Sequence, residues 1–295
     1  MSFNIGIPLP ALLSQLLLGL VNGAFYAMLS LGLAVIFGLL NVINFAHGAL
    51  FMLGALLAWV AMDQLGINYW VMLLLSPLIV GLIGVVIEKT MLRRVYKLDH
   101  IYGLLLTLGI TLVIEGVCRS IYGVSGLPYS SPEALQGATD IGFMQLPNYR
   151  AWVVVASLIV CIGTWYVIER TKLGSYLRAG TENPKIVEAF GINVPRMVTL
   201  TYGFGVALAA FAGVLAAPVM QVSPLMGQNL IIVVFAVVVI GGMGSILGAV
   251  ITGLGLGVIE GLTKVFYPEA SSTVVFVVMA LVLLVRPAGL FGKEK

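Results

Sequence analysis

An all-α, polytopic transmembrane helix bundle is the fold class that this 295-residue chain predicts, and three observations predict it. Hydrophobic residues make up 60% of the chain and charged residues 9%, whereas an ordinary soluble domain carries about 25% charged residues. The apolar residues come in runs of roughly 18 to 35, and about 20 in a helix suffice to cross a hydrocarbon core of about 30 Å. The basic residues, which leave a net charge of +3, lie in short stretches between those runs. There they report topology rather than a nucleic-acid-binding face.

In chain order, the membrane segments fall at 11–40, 48–62, 70–88, 101–118, 151–168, 198–218, 229–262 and 272–285, about eight or nine in a single domain covering 1–295. No Lys or Arg precedes position 89, and the first run is too long for the apolar region of a secretory signal, so it is expected to stay as a helix. Cys118 and Cys161 fall in different runs, which argues against a disulfide between them.

Twelve of the fifteen basic residues form three clusters. These are Lys89, Arg93, Arg94 and Lys97; then Arg170, Lys172, Arg178, Lys185 and Arg196; then Arg286, Lys293 and Lys295. The positive-inside rule places all three in the cytoplasm. An even number of crossings must then separate them. Segments 101–118 and 151–168 satisfy this, with 119–150 as a periplasmic loop. Between the second and third clusters the count is odd, so one segment must be double. The 229–262 run would be about 50 Å long as one helix, and it contains Gly241-Gly242-Met243-Gly244-Ser245. A break there, after either a re-entrant half-helix or a short span, restores parity.

A second break is expected at Asn41–Gly48, where polar side chains interrupt an apolar run. Irregular backbone at membrane depth survives only where protein or a water-filled cavity satisfies its polar groups. The breaks therefore point to a transporter rather than an anchor, and the stretches after them, Gly48–Ala58 and Gly244–Gly257, share a small-residue texture that fits an internal repeat. Asn44, Phe45 and His47, with Gly241, Gly242, Met243 and Ser245, are the expected translocation-path residues, and the two breaks are expected to approach one another. Glycines recur every four residues at Gly19 and Gly23 and at Gly253, Gly257 and Gly261. That spacing lets helices pack closely within the chain, or serves a subunit interface at the Gly253 stripe.

Few ionisable residues lie in the runs. Asp63 and Glu88 are expected at the interfaces, and Glu115 and Glu260, toward outer helix ends, either meet interfacial water or line an outer vestibule. The chain has no Gly-x-x-x-x-Gly-Lys-Ser/Thr loop to cradle phosphates, so any ATP must be hydrolysed by a partner. No catalytic residues, metal ligands or cofactor of its own are expected, since His47 and His100 cannot build a metal site alone and no apolar run holds a carboxylate pair.

The cytoplasmic loop at 169–197 contains a short helix bounded by Asn183 as N-cap, Pro184 at its first position and Gly191 just past its end. Glu182, Asn183, Pro184, Ile186, Val187, Glu188, Phe190 and Gly191 mark it as a docking element, with an amphipathic helix lying on lipid as the alternative.

Four stretches carry a family resemblance. They are Ile43-Asn44-Phe45-Ala46-His47-Gly48; Arg178-Ala179-Gly180 through Gly191-Ile192-Asn193; Gly241 through Ala249; and the ending Arg286-Pro287-Ala288-Gly289-Leu290-Phe291-Gly292. Over nearly its whole length the chain resembles the permeases of the branched-chain amino-acid ABC-transporter family. The resemblance implies a multi-pass protein of the bacterial inner membrane, working with a second permease subunit, two cytoplasmic ATPases that hold ATP and magnesium, and a periplasmic solute-binding protein, with no nucleic-acid partner. It also implies that Thr181–Val194 couples to the ATPase. The chain departs from the wider importer pattern, because Glu188-Ala189-Phe190 runs straight into Gly191. The family's solutes are leucine, isoleucine and valine, and also urea, amides and aromatic acids. A stand-alone secondary transporter or channel is the competing reading, and it would need an ionisable relay at mid-membrane.

Overall fold

The computed structural model describes residues 8–40, 43–96 and 98–292. Of the positions singled out above, Asn41, Val42, Lys97, Lys293 and Lys295 lie outside the described residues. Helix α1 spans Leu9–Leu40, α2 Ala46–Leu65 and α3 Tyr69–Ile87, which continues through a π-helical turn at Glu88–Leu92 into α4, Arg93–Val95. There follow α5 (His100–Tyr122), a short hairpin of β1 (Ala138–Asp140) and β2 (Gln145–Pro147), α6 (Asn148–Arg170), α7 (Lys172–Glu182) and α8 (Pro184–Ala189). The chain finishes with α9 (Val194–Ala216), α10 (Met226–Gly241), α11 (Ile246–Phe266) and α12 (Val274–Val285). Among the described residues seven helices are long and apolar enough to cross a membrane, and α10 and α12 are shorter apolar helices.

Both expected breaks are present. The first separates α1 from α2, and the second separates α10 from α11. The second also resolves the parity question. Gly241, at the end of α10, packs on Gly248, and Gly242 packs on Gly292 near the chain's end. The start of α10 follows Val222, which pairs with Leu127 in the loop after α5. Its 16 residues reach about 24 Å. The helix starts beside Gly48 at the first break, so it is the whole stretch from Val222 through α10 that carries the chain from one end of the bundle to the other, rather than returning it as a re-entrant half-helix.

The described members of the three basic clusters share one end of the bundle. A cavity there is lined by Gly38, Glu169, Arg178 and Gly244, Thr199 in α9 meets Glu88, and the backbone of Leu290 bonds to Ile240. At the opposite end Leu127 and Val222 exchange backbone hydrogen bonds of 2.7 and 3.1 Å, and Trp59 Nε1 donates to Pro128 O at 3.1 Å. The loop between α5 and α6, which covers 123–147 and is therefore shorter than expected, caps this end. Tyr69, Trp70, Tyr149 and Trp152 gather there with ring centroids 5.2 to 5.9 Å apart, and the hydroxyls of Tyr69 and Tyr149 are 2.9 Å apart. Amphipathic rings of this kind favour a membrane–water boundary.

At the centre α9 packs on α1, α2 and α3, and α11 lies along α1. The glycine stripes are consumed inside the chain. A Cβ on Gly257 would lie 2.3 Å from Gly23 Cα and 2.4 Å from Gly19 O, so any side chain there would push the helices apart. In lipid, where apolar side chains gain little by leaving their solvent, such close backbone contact is what holds helices together. The intramolecular reading of the stripe is the one the structure shows.

Candidate translocation path and docking loop

The first break is tied down by its own polar groups. Asn44 is fully buried; its Nδ2 donates to the Tyr202 hydroxyl at 3.1 Å and its Oδ1 accepts from Ala46 N at 3.1 Å. Thr107 in α5 supplies the next link, accepting from Phe45 N at 3.2 Å and facing Ile43 O at 3.2 Å. The bonds to Ala46 N, Phe45 N and Ile43 O replace helical bonds lost at the break. His47 is also fully buried, with Nε2 3.0 Å from Leu29 O, while its Nδ1 has no partner among the described residues. Phe45 is partly exposed and its ring centroid lies 4.9 Å from that of Phe235 in α10.

The second break is built differently. Gly242 and Gly244 have φ of 96° and 85°, a left-handed conformation that only glycine adopts freely. Ser245 caps α11 by accepting from Gly248 N at 3.1 Å. Gly241 is buried, Ser245 is partly exposed, and Met243 is 56% exposed.

The two breaks lie at different depths along α1 rather than meeting as expected. His47 leans on Leu29 and on Gly32, where an added Cβ would sit 3.0 Å from the ring. Gly244 packs on Gly38. Nine residues at about 100° each put Leu29 and Gly38 on opposite faces of α1. Asn44 and His47 are buried between α1, α5 and α9, so they brace the break rather than present a polar surface.

Two of the carboxylates, Glu88 and Glu115, are more buried than the sequence reading had them. Glu115 is only 5% exposed and accepts from Gln228 Nε2 at the start of α10. It sits about 10 Å before the end of α5, and is paired rather than hydrated. Glu260 accepts from the Tyr26 hydroxyl at 2.7 Å and from Lys264 Nζ at 2.6 Å. Asp63 is exposed, as expected of an interfacial residue. Glu88, read from the sequence as interfacial, is 1% exposed and accepts from Thr199 Oγ1 at 2.6 Å. The signal that places it was present in the chain: Gly81, Gly84 and Glu88 recur at helical spacing, and the two glycines form the face that packs on α9. Thr199 and Tyr202, its neighbours in α9, had no such signal.

The short helix in the 169–197 loop forms with the expected boundaries. The Asn183 side chain caps α8 by accepting from Ile186 N at 3.3 Å, Pro184 opens the helix, and Gly191 follows it with φ of 83°. Val187 is buried at 7%, whereas Ile186 and Phe190 are 55% and 81% exposed. Glu182 and Glu188 are exposed on the same loop. The Glu169–Arg178 pair beneath it, 3.1 Å apart and exposed on both sides, contributes little by itself.

A bundle of membrane-crossing helices with two interrupted spans, and with an apolar-tipped helix standing off its basic end, defines a multi-pass membrane permease. The chain belongs to the branched-chain amino acid transport system / permease component family, whose model matches residues 15–284. It is 31% identical to the high-affinity branched-chain amino acid transport system permease protein BraD of Pseudomonas aeruginosa, over 96% of both chains. It is 30% identical to LivH, the permease protein of the corresponding system in Salmonella typhimurium, again over 96% of both. To LivM of Escherichia coli it is 27% identical, over 90% of this chain and 67% of that protein.

Proposed function

We propose that this chain is one permease subunit of an ATP-driven importer of branched-chain or related small amino-acid-like solutes in a bacterial inner membrane. It forms the path with a second permease subunit, and two cytoplasmic ATPase subunits hydrolyse ATP with magnesium. A periplasmic binding protein delivers the solute to the end capped by the 123–147 loop, near Glu115 and Glu260. The relatives' names support the substrate class, and the match to both LivH and LivM supports a two-permease assembly.

The observation that carries the reading is α8. Ile186 and Phe190, four residues apart on one face, are exposed at the basic end. Leaving two large apolar side chains there forgoes about 1.5–3 kcal/mol each, a cost recovered when a partner covers them. The partner that fits is an ATPase cleft. The test is reconstitution of the complex in proteoliposomes with radiolabelled leucine. Import is expected only with ATP, the ATPases and loaded binding protein. Uptake by this chain alone would overturn the proposal.

A further inference from the structure

Three buried side chains near the basic end, Glu88, Thr199 and Tyr202, serve neither docking nor the break's own bonding alone. Glu88 opens the π-helical turn Glu88–Leu92 at the end of α3. A carboxylate buried in an apolar run is costly and is seldom kept without a partner or a role, and π turns inside helices concentrate at functional positions. Its bonding partner, Thr199, has one hydroxyl proton and two acceptors in reach. These are Glu88 Oε2 at 2.6 Å, on a different helix, and Pro195 O at 2.9 Å, on its own. A small shift of α9 relative to α3 moves that proton from one acceptor to the other without leaving it unbonded. The hydroxyl can thus serve either acceptor. One turn further along the same face of α9, the Tyr202 hydroxyl accepts from Asn44 in the first break.

The start of α9 is joined to α8 without slack. Gly191 N bonds to Glu188 O at 2.9 Å and Ile192 N to Val187 O at 3.4 Å. Asn193 then caps α9 by accepting from Arg196 N at 3.0 Å. Val187 and Val194 are buried on either side of this joint. Whatever displaces α8 therefore displaces the turn that carries Thr199 and Tyr202.

We infer that Thr199 and Tyr202 are positioning residues that carry movement of α8 to two irregular membrane segments, the π turn at Glu88 and the break at Asn44. Glu88 is the acceptor that registers the movement. The inference rests on the docking role proposed for α8. Nothing in it requires Glu88 to change charge, since a hydrogen-bond acceptor is sufficient.

The test uses the reconstituted complex with Thr199→Val, Thr199→Ser and Glu88→Gln. It reads ATP hydrolysis, leucine imported per ATP, and the ATP-dependent change in maleimide labelling of an Ile43→Cys reporter beside the break. Thr199→Val keeps the volume and removes the hydroxyl. It is expected to hydrolyse ATP within about twofold of wild type but to lose about tenfold in leucine per ATP, the equivalent of one hydrogen bond, together with the labelling change. Thr199→Ser and Glu88→Gln retain donor and acceptor and are expected to behave as wild type. Wild-type leucine per ATP in Thr199→Val would overturn the inference, as would a Thr199→Ser as defective as Thr199→Val. If Thr199→Val does not assemble, Tyr202→Phe, which removes only a hydroxyl, carries the same expectation and the same overturning result. A wild-type complex that does not import leucine would count against the proposed function instead. The labelling change at Ile43→Cys would then still decide the relay.

Discussion

Polar side chains inside this bundle replace backbone bonds that a continuous helix would have made. Asn44 does so for Ala46 N and also donates to the Tyr202 hydroxyl, and its removal strands both groups in a buried site. Each stranded group costs about 1–3 kcal/mol. Asn44→Ala is therefore expected to lower the thermal midpoint of the detergent-solubilised protein as well as its transport; an unchanged midpoint would return Asn44 to the path-lining role read from the sequence. The small residues work in the opposite sense, by absence. Gly257 meets the backbone of α1 at Gly19 and Gly23, whereas a Cβ on Gly255 meets nothing within 4 Å. Gly257→Leu is expected to abolish the monodisperse size-exclusion peak and Gly255→Leu to leave it intact, and equal behaviour would refute the packing account. At this scale the sequence was partly legible. Glycine spacing showed where helices touch, because only small residues allow it. Depth and partner could not be read for Glu88 and Glu115, since both depend on which neighbouring helix faces them.

Among the elements, α8 was the most legible because each of its boundaries is set locally, by an Asn cap, a proline and a left-handed glycine. The two breaks were legible for the same reason. Their separation was not, because it follows from α1 offering Gly32 to one and Gly38 to the other, a tertiary fact. Gly191 has open space where a Cβ would sit, so its constraint is conformational alone. A β-branched residue at φ of 83° is strained by about 1 kcal/mol or more and redirects the chain into α9. Gly191→Val is expected to reach the membrane yet leave ATP hydrolysis unresponsive to loaded binding protein. Phe190→Ser, which keeps the backbone and removes the exposed ring, is expected to weaken ATPase co-purification. Normal stimulation in the first and normal co-purification in the second would exclude α8 as the docking element.

For the whole molecule, charge and covalent order give one topology. The described basic residues of the three clusters lie at one end, while Arg119, Arg150 and Lys264 fall at helix termini toward the other. Among the described residues nine apolar helices alternate between the ends, with α1 running toward the basic end and α12 returning to it. Positive charge is retained on the cytoplasmic side during insertion, so the basic end with α8 is expected in the cytoplasm and the 123–147 loop outside. Ser130 and Lys185 are both exposed, one at each end, and the native Cys118 and Cys161 are buried, which keeps the labelling background low. In intact cells of a bacterium whose outer membrane has been made permeable, a membrane-impermeant maleimide is expected to label Ser130→Cys at once. Lys185→Cys is expected to react only after the inner membrane is opened. The reverse pattern would invert the bundle and place α8 out of reach of any cytoplasmic ATPase. Labelling of both from outside would show that the two ends are not separated by the membrane, and the crossing count built on the stretch from Val222 through α10 would fall with it.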